Sequence, residues 1–314
     1  MIFPLEWWLT EFRRKSNGMS DLSDSIYVSS GAFRTRSVPE IVDVCLKNGI
    51  ARLELGSGTA WEPNLLECVR ETAGRRMSYL VHNYFPPHER PFVLNLAASE
   101  PEMLALSRNH CRLAVDLTAE LGGGFFSVHA GFAFTARPDD LGKDLTNAPR
   151  GSLEQAQKTF VESLKDLCAY GGQRGVTIVV ENNVVAPFNL VNGKNRLCLC
   201  ATAEDILQTF AEVGSSNLGL LVDVGHLKVT ANALNFDKQK FLEAVAPHVM
   251  ALHLSDNDGV ADQNLPFGRE AWFLPLLAEF SKATMVLEAY RLTVDQVRDC
   301  CEVVAGARLR AGIR

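Results

Sequence analysis

From residue 26 onward the chain alternates eight short β-branched or aromatic runs with longer stretches of helical periodicity, and no other feature limits its fold so tightly. The runs are IYVSS (26–30), ARLEL (51–55), MSYLVH (77–82), FFSVH (125–129), VTIVVE (176–181), LGLLVD (218–223), VMALHLS (249–255) and TMVLE (284–288). Their near-continuous apolar character suits parallel strands covered on both faces. Helix starts fall between them: Ser99 with Glu102, Ser152 with Gln155 and Thr293 with Gln296 each have capping-box spacing, which satisfies backbone N–H groups that have no partner in a helix's first turn. The segment after Ser152 places Ala156, Phe160, Leu164, Leu167 and Cys168 on one face and stops at Gly171-Gly172.

Eight such units in residues 25–314 predict an α/β fold, a single (β/α)8 TIM barrel, with residues 1–24 as a short N-terminal extension. The extension carries two Trp and a mixed-charge tail, and Met19-Ser20-Asp21 reads as a natural start; the alternative is an amphipathic helix for residues 1–18, whose aromatic residues would suit a homo-oligomer contact. Glu6 and Glu11 interrupt any signal-peptide core. No apolar stretch reaches the roughly 18 residues of a membrane span. The net charge of −6, with no basic run longer than Arg13-Arg14-Lys15, argues against a nucleic-acid partner. The eight cysteines are scattered without zinc-knuckle spacing, so free thiols in a reducing cytoplasm are expected.

Connections into the strands are short, whereas those leaving them are long at 130–151, 182–201 and 256–269. Long loops at the carboxyl ends of strands mark where such a barrel builds its site. The same ends carry unusual polar groups. His82-Asn83 ends the third run, His129 the fourth, Glu181-Asn182-Asn183 the fifth, and Asp223, followed by His226, the sixth. His253 lies in the seventh, which runs into Asp256-Asn257-Asp258, and Glu288 ends the eighth. Of the seven histidines only His88, His110 and His248 fall elsewhere, and Glu54, ending the second run, reads equally as a partner for a neighbouring Arg. Three carboxylates facing one another in a buried site repel unless a cation or shared protons neutralise them. Imidazole among carboxylates makes that cation a divalent metal such as Zn, Mn, Fe or Co.

These residues carry a resemblance to the xylose isomerase-like TIM-barrel superfamily of sugar isomerases, epimerases and endonuclease IV-like proteins. It covers about residues 25–305 through VVEN (179–182), LVDVGH (221–226), LHLSDNDG (252–259), DQNLPFG (262–268) and VLEAY (286–290). In the epimerase branch it implies one Mn, Co or Zn ion held by Glu181, Asp223, His253 and Glu288, with the two Glu residues as the acid/base pair and His226 at the substrate. The endonuclease branch implies further ligands at His82 and His129, hence a second ion bridged by Glu181. That branch's Asp-x-His is here Asp262-Gln263-Asn264, with an amide where an imidazole is needed, so a third ion is not supported. An Arg common in ketose epimerases after the seventh strand's carboxylate is absent from SDNDG.

The expected function is a metal-dependent isomerase or epimerase of a sugar, sugar phosphate or polyol, working by carboxylate-mediated proton transfer through a metal-stabilised enediolate. The alternative is a two-metal phosphoester hydrolase acting on a small phosphorylated metabolite. Asn83, His226, Asp256, Asp262 and Asn264 are candidate substrate contacts, and Phe132, Phe134 and Phe188 candidate walls.

Overall fold

A computed structural model of the chain describes residues 26–56, 58–310 and 312, so the expectations for the N-terminal extension fall outside the described residues. Eight strands follow in chain order: β1 Ile26–Ser29, β2 Arg52–Leu55, β3 Ser78–His82, β4 Phe125–His129, β5 Thr177–Glu181, β6 Leu218–Asp223, β7 Val249–Leu254 and β8 Thr284–Leu287. Each pairs in parallel with the next, and β8 closes on β1, giving a complete barrel with no free edge.

The helices are α1 Val38–Lys47, α2 Leu65–Thr72, α3 Pro101–Glu120, α4 Leu153–Gly172, α5 Ala203–Val213, α6 Val224–Leu234, α7 Lys238–Val245 and α8 Val294–Arg310. Two of them, α6 and α7, follow β6, whereas β7 and β8 are joined through a 3-10 turn, Leu274–Ala278. Pro275 in that turn has no N–H to donate to an α-helical ladder. The expected seventh repeat of strand and helix is therefore irregular at that position.

The helix signals fared unevenly. Thr293 and Gln296 form a full reciprocal cap, and Ser152 accepts from the Gln155 N–H. Ser99 caps nothing: α3 starts two residues later at Pro101, behind Glu100, because Pro fits a first helical turn without needing a hydrogen bond. Thr202 and Asp205 form a capping box at α5, with Asp in the place of the more usual Glu or Gln.

The strands read as continuously apolar because both faces are covered. Outward residues such as Val28, Leu53, Phe126, Ile178, Leu220 and Leu252 pack against the helices in the main core. Inside the barrel, Tyr27, Leu80, Phe125, Val179, Leu221, Ala251 and Val286, one from each strand except β2, form a separate apolar plug. Side chains two residues apart on a strand share a face. Stepping two residues toward the carboxyl end from that plug gives Ser29, His82, Ser127, Glu181, Asp223, His253 and Glu288. The polar rim is thus the next inward layer, resting on an apolar floor.

Candidate active site

Local backbone geometry sets Asp223. It ends β6 and caps α6, which starts at the next residue, so its Oδ1 accepts from the His226 N–H at 2.8 Å and Oδ2 is left without a hydrogen bond. Gly225 allows this tight strand-to-helix turn, since a Cβ there would lie 2.7 Å from Ser255 Oγ and 3.1 Å from Asp223 Oδ1. Asn182 fastens the adjoining strand end by accepting from the Asp223 N–H at 2.8 Å. Asn183 donates to the carbonyls of Ala130, Gly131 and Leu199, tying the two long loops 130–151 and 182–201 together.

Glu181, Asp223, His253 and Glu288 each offer one donor atom to a cluster whose atoms all lie within 4.8 Å of one another. Opposite ligands of a single ion at zinc-like distances are about 4.2 Å apart, so the group is of the right size. Both Glu181 carboxylate oxygens, Asp223 Oδ2 and His253 Nδ1 are buried without a hydrogen bond. His253 Nδ1 stands 2.5 Å from Glu288 Oε2, so these two members of the donor set are in direct contact. Buried native polar atoms nearly always find partners, so this set of orphans fits a divalent cation.

The electrostatics agree. Burial pushes Glu181 well above the usual carboxylate range and Asp223 up to about 7. Burial alone would raise Glu288 too, but His253, His82 and His226 outweigh it and hold that carboxyl below its ordinary value. The reverse holds at His253, where Glu288 and Glu54 overcome burial and keep the imidazole well above its usual pKa. Protons stand where a cation would otherwise balance these charges.

His82, His129 and Glu181 form a second donor group. Their imidazole Nε2 atoms lie 3.5 and 3.4 Å from Glu181 Oε2. Burial, followed by the neighbouring His253, brings His82 down to about 3, and burial with His82 holds His129 well below its usual value. Both are therefore neutral, with lone pairs free for a cation. His226 differs: despite burial, Asp223, Asp262 and Glu181 hold it well above its ordinary pKa. Its Nδ1 donates to the Asn182 carbonyl at 2.9 Å and its Nε2 to Asp262 Oδ2 at 3.2 Å.

Two further residues act on the cluster, Glu54, whose reading from the sequence was even, and Tyr290, which the sequence did not single out. Glu54 does not pair with an Arg; it is fully buried and accepts from His253 Nε2 at 3.0 Å. That hydrogen bond turns Nδ1 toward the other donors. Tyr290 donates to Glu288 Oε1 at 3.1 Å. The EAY spacing puts Tyr290 and Glu288 on one face of an extended chain, the only signal available.

An open cavity of about 750 Å³ lies above the cluster, bordered by His82, His129, His226 and Glu288. Of the expected substrate contacts, Asn83, His226 and Asp262 border it, as do Phe132, Phe134 and Phe188. Asp256 and Asn264 are not among its lining residues. Asp256 is held by Lys228 Nζ at 2.6 Å, while Asn264, at a φ of +47°, donates to Asp262 and accepts the Tyr290 N–H. His88, expected away from the rim, does border the cavity, where its Nε2 sits 3.1 Å from His110 Nδ1. The β3–α3 loop folds back over the barrel mouth, which strand spacing could not reveal. All eight cysteines are free thiols. No helix among the described residues is long and apolar enough to cross a membrane.

Fold and site together define a closed eight-stranded barrel with a buried set of side chains that could hold a metal ion, beneath an open cavity. The sequence pattern of the xylose isomerase-like TIM barrel family matches residues 44–304, and the chain belongs to that family. A fructoselysine 3-epimerase from Shigella flexneri is 24% identical over 178 residues, 57% of this chain and 55% of that protein. The chain thus spans about half the length of the curated relatives it matches. Among solved structures it is similar to a D-tagatose 3-epimerase-like protein, with a TM-score of 0.70 and 19% identity over 92% of this chain and 98% of the other. It is also similar to a D-psicose 3-epimerase with D-tagatose from Clostridium cellulolyticum H10, with a TM-score of 0.60 and 13% identity over 92% and 98% of the two chains. At these identities the structural likeness concerns the fold.

Proposed function

We propose that the protein is a divalent-metal-dependent isomerase or epimerase of a carbohydrate. The observation that carries this reading is the four-residue donor set Glu181, Asp223, His253 and Glu288, buried under an open cavity. The epimerase names of the relatives point the same way. Those four residues would hold the ion, with Mn, Co or Zn matching a mixture of imidazole and carboxylates. When bound, the cation supplies Lewis-acid stabilisation of the charge that develops beside a carbonyl.

The remaining work belongs to the chain. Glu288 borders the cavity and is the carboxylate placed to exchange a proton with a substrate carbon, with the Tyr290 hydroxyl fixing its Oε1. Glu181 is fully buried, but its Oε1 lies 3.2 Å from Nδ1 of His226, which does border the cavity. His226, its Nδ1 given to the Asn182 carbonyl, is placed to orient or protonate a substrate oxygen. Asn83 and Asp262 orient the hydroxyls.

The second donor group, His82, His129 and Glu181, favours a second reading, two-metal hydrolysis of a phosphoester. Against it, Arg36 is the lone Lys or Arg among the described residues bordering the cavity, and its Nε is already given to the Gly58 carbonyl at 2.7 Å. NMR in D2O with a panel of ketohexoses tests the proposal. Loss of the C–H signal beside the carbonyl is expected, slowed at least ~100-fold by Glu288→Gln. Phosphate release from a phosphoester without any such exchange would replace this reading with the second.

A further inference from the structure

The cavity is far larger than the donor cluster requires. Its volume is about 750 Å³, whereas a six-carbon sugar at protein-interior packing density fills on the order of 200 Å³. The surplus lies beyond the strand ends, between loops. Part of its border is made of exposed apolar side chains. Trp61, Leu141, Phe188 and Tyr290, four of the large apolar side chains left exposed on the described surface, at 46, 48, 40 and 39% exposure, all border this one cavity. Singly scattered apolar residues are ordinary on a surface, but their gathering around one opening marks a binding site.

The walls also offer flat ring faces. Phe132 and Phe134 stack with centroids 4.3 Å apart, and Tyr84 and Phe92 meet edge to face at 5.1 Å. What they lack is equally informative. Arg36 is the lone Lys or Arg among the described lining residues, and its Nε is given to the Gly58 carbonyl at 2.7 Å, so no cluster of basic side chains awaits a phosphate or carboxylate. Beside Trp61, Leu141 and Phe188 the hydroxyls of a second sugar ring would meet apolar side chains, where each unpaired group costs free energy.

We propose that this outer chamber is a subsite for a neutral aromatic group carried by the sugar, so that the substrate is an aryl-substituted carbohydrate and not a free monosaccharide. The proposal rests on the carbohydrate reading of the donor cluster. The reacting sugar sits over Glu288 while the aryl group lies against the exposed apolar side chains of the cavity border, Trp61 and Phe188 among them.

Calorimetric titration of the Mn²⁺-loaded protein with phenyl β-D-glucopyranoside, methyl β-D-glucopyranoside and maltose tests this. The phenyl glucoside is expected to bind at least about tenfold more tightly than the methyl glucoside, from burial of one ring. Trp61→Ala and Phe188→Ala, both at exposed positions whose truncation opens no core cavity, should each cut that preference markedly, with the melting temperature confirming the fold. Equal affinity for the two glucosides, no detectable binding of the phenyl glucoside, a preference untouched in both variants, or tighter binding of maltose would each overturn the proposal. Deuterium exchange into free ketohexoses reports separately on the carbohydrate reading. A phenyl preference without exchange leaves the subsite and removes the isomerase, whereas exchange without a preference does the opposite.

Discussion

Glu54 makes the most incisive perturbation, because its hydrogen bond to the four-residue donor set runs through His253, while it also forms a further candidate donor group with His82 and His253. Its carboxylate is fully buried and its Oε1 lies 3.0 Å from His253 Nε2, the ring atom facing away from Glu181, Asp223 and Glu288. Partners of this kind fix the imidazole tautomer and orientation, and their removal costs about 10–100-fold in metal affinity. Glu54→Gln keeps an amide oxygen that accepts the same hydrogen bond and loses the charge, so a loss of about tenfold, or ~1.4 kcal/mol, is expected. Glu54→Ala leaves the Nε2–H without an acceptor and should approach the upper end, about 100-fold. Competition against a fluorescent chelator for Zn²⁺ or Mn²⁺ measures both. The number of ions bound at saturation should not change. Affinities within twofold of the parent for both variants would refute the positioning role, and loss of a whole ion would place Glu54 among the ligands.

Gly225→Ala should weaken metal binding without touching a ligand, because the new Cβ would press within 3.1 Å of Asp223 Oδ1 and 2.7 Å of Ser255 Oγ; the same chelator assay reads it, and an unchanged affinity would show the turn yields freely. His110 gives a pH test of stability. Burial, with His88 beside it, lowers its pKa to about 4, so the unfolded chain, near 6.5, binds the proton more readily. Its contribution is present at pH 7 and lost as pH falls through the window from about 6.5 to 4, amounting to about 2 kcal/mol at pH 5. Urea unfolding at pH 7 and pH 5 should show that loss in the parent and not in His110→Gln; equal losses in the two would contradict it.

The barrel was legible because each strand covers both faces. VTIVVE and LGLLVD are apolar at nearly every position, since Val180 and Val222 meet the helices while Val179 and Leu221 fill the interior. Site residues were legible for a related reason: a carboxylate or imidazole ending such a run breaks the pattern where the barrel interior opens to the cavity. Glu54 shares that position, yet its partner His253 is 199 residues away, and nothing local distinguishes it from an acid paired with a surface Arg. Asp256 does not border the cavity, for the mirror reason. It follows β7 like a rim residue, but Lys228 on α6 captures it, a contact visible only once the helix is docked. His88 was lost because 18 residues separate β3 from α3, and the path of such a loop is set by packing among Tyr84, Phe92 and His110 and not by local pattern.

Elemental analysis of the purified protein after loading with Mn, Co or Zn, set beside Asp223→Ala and His82→Ala, tests the central claim most directly. The account predicts one divalent ion per chain, absent from Asp223→Ala, which loses the buried Oδ2, and retained in His82→Ala. No ion under any loading condition, or an ion that survives Asp223→Ala, would contradict it.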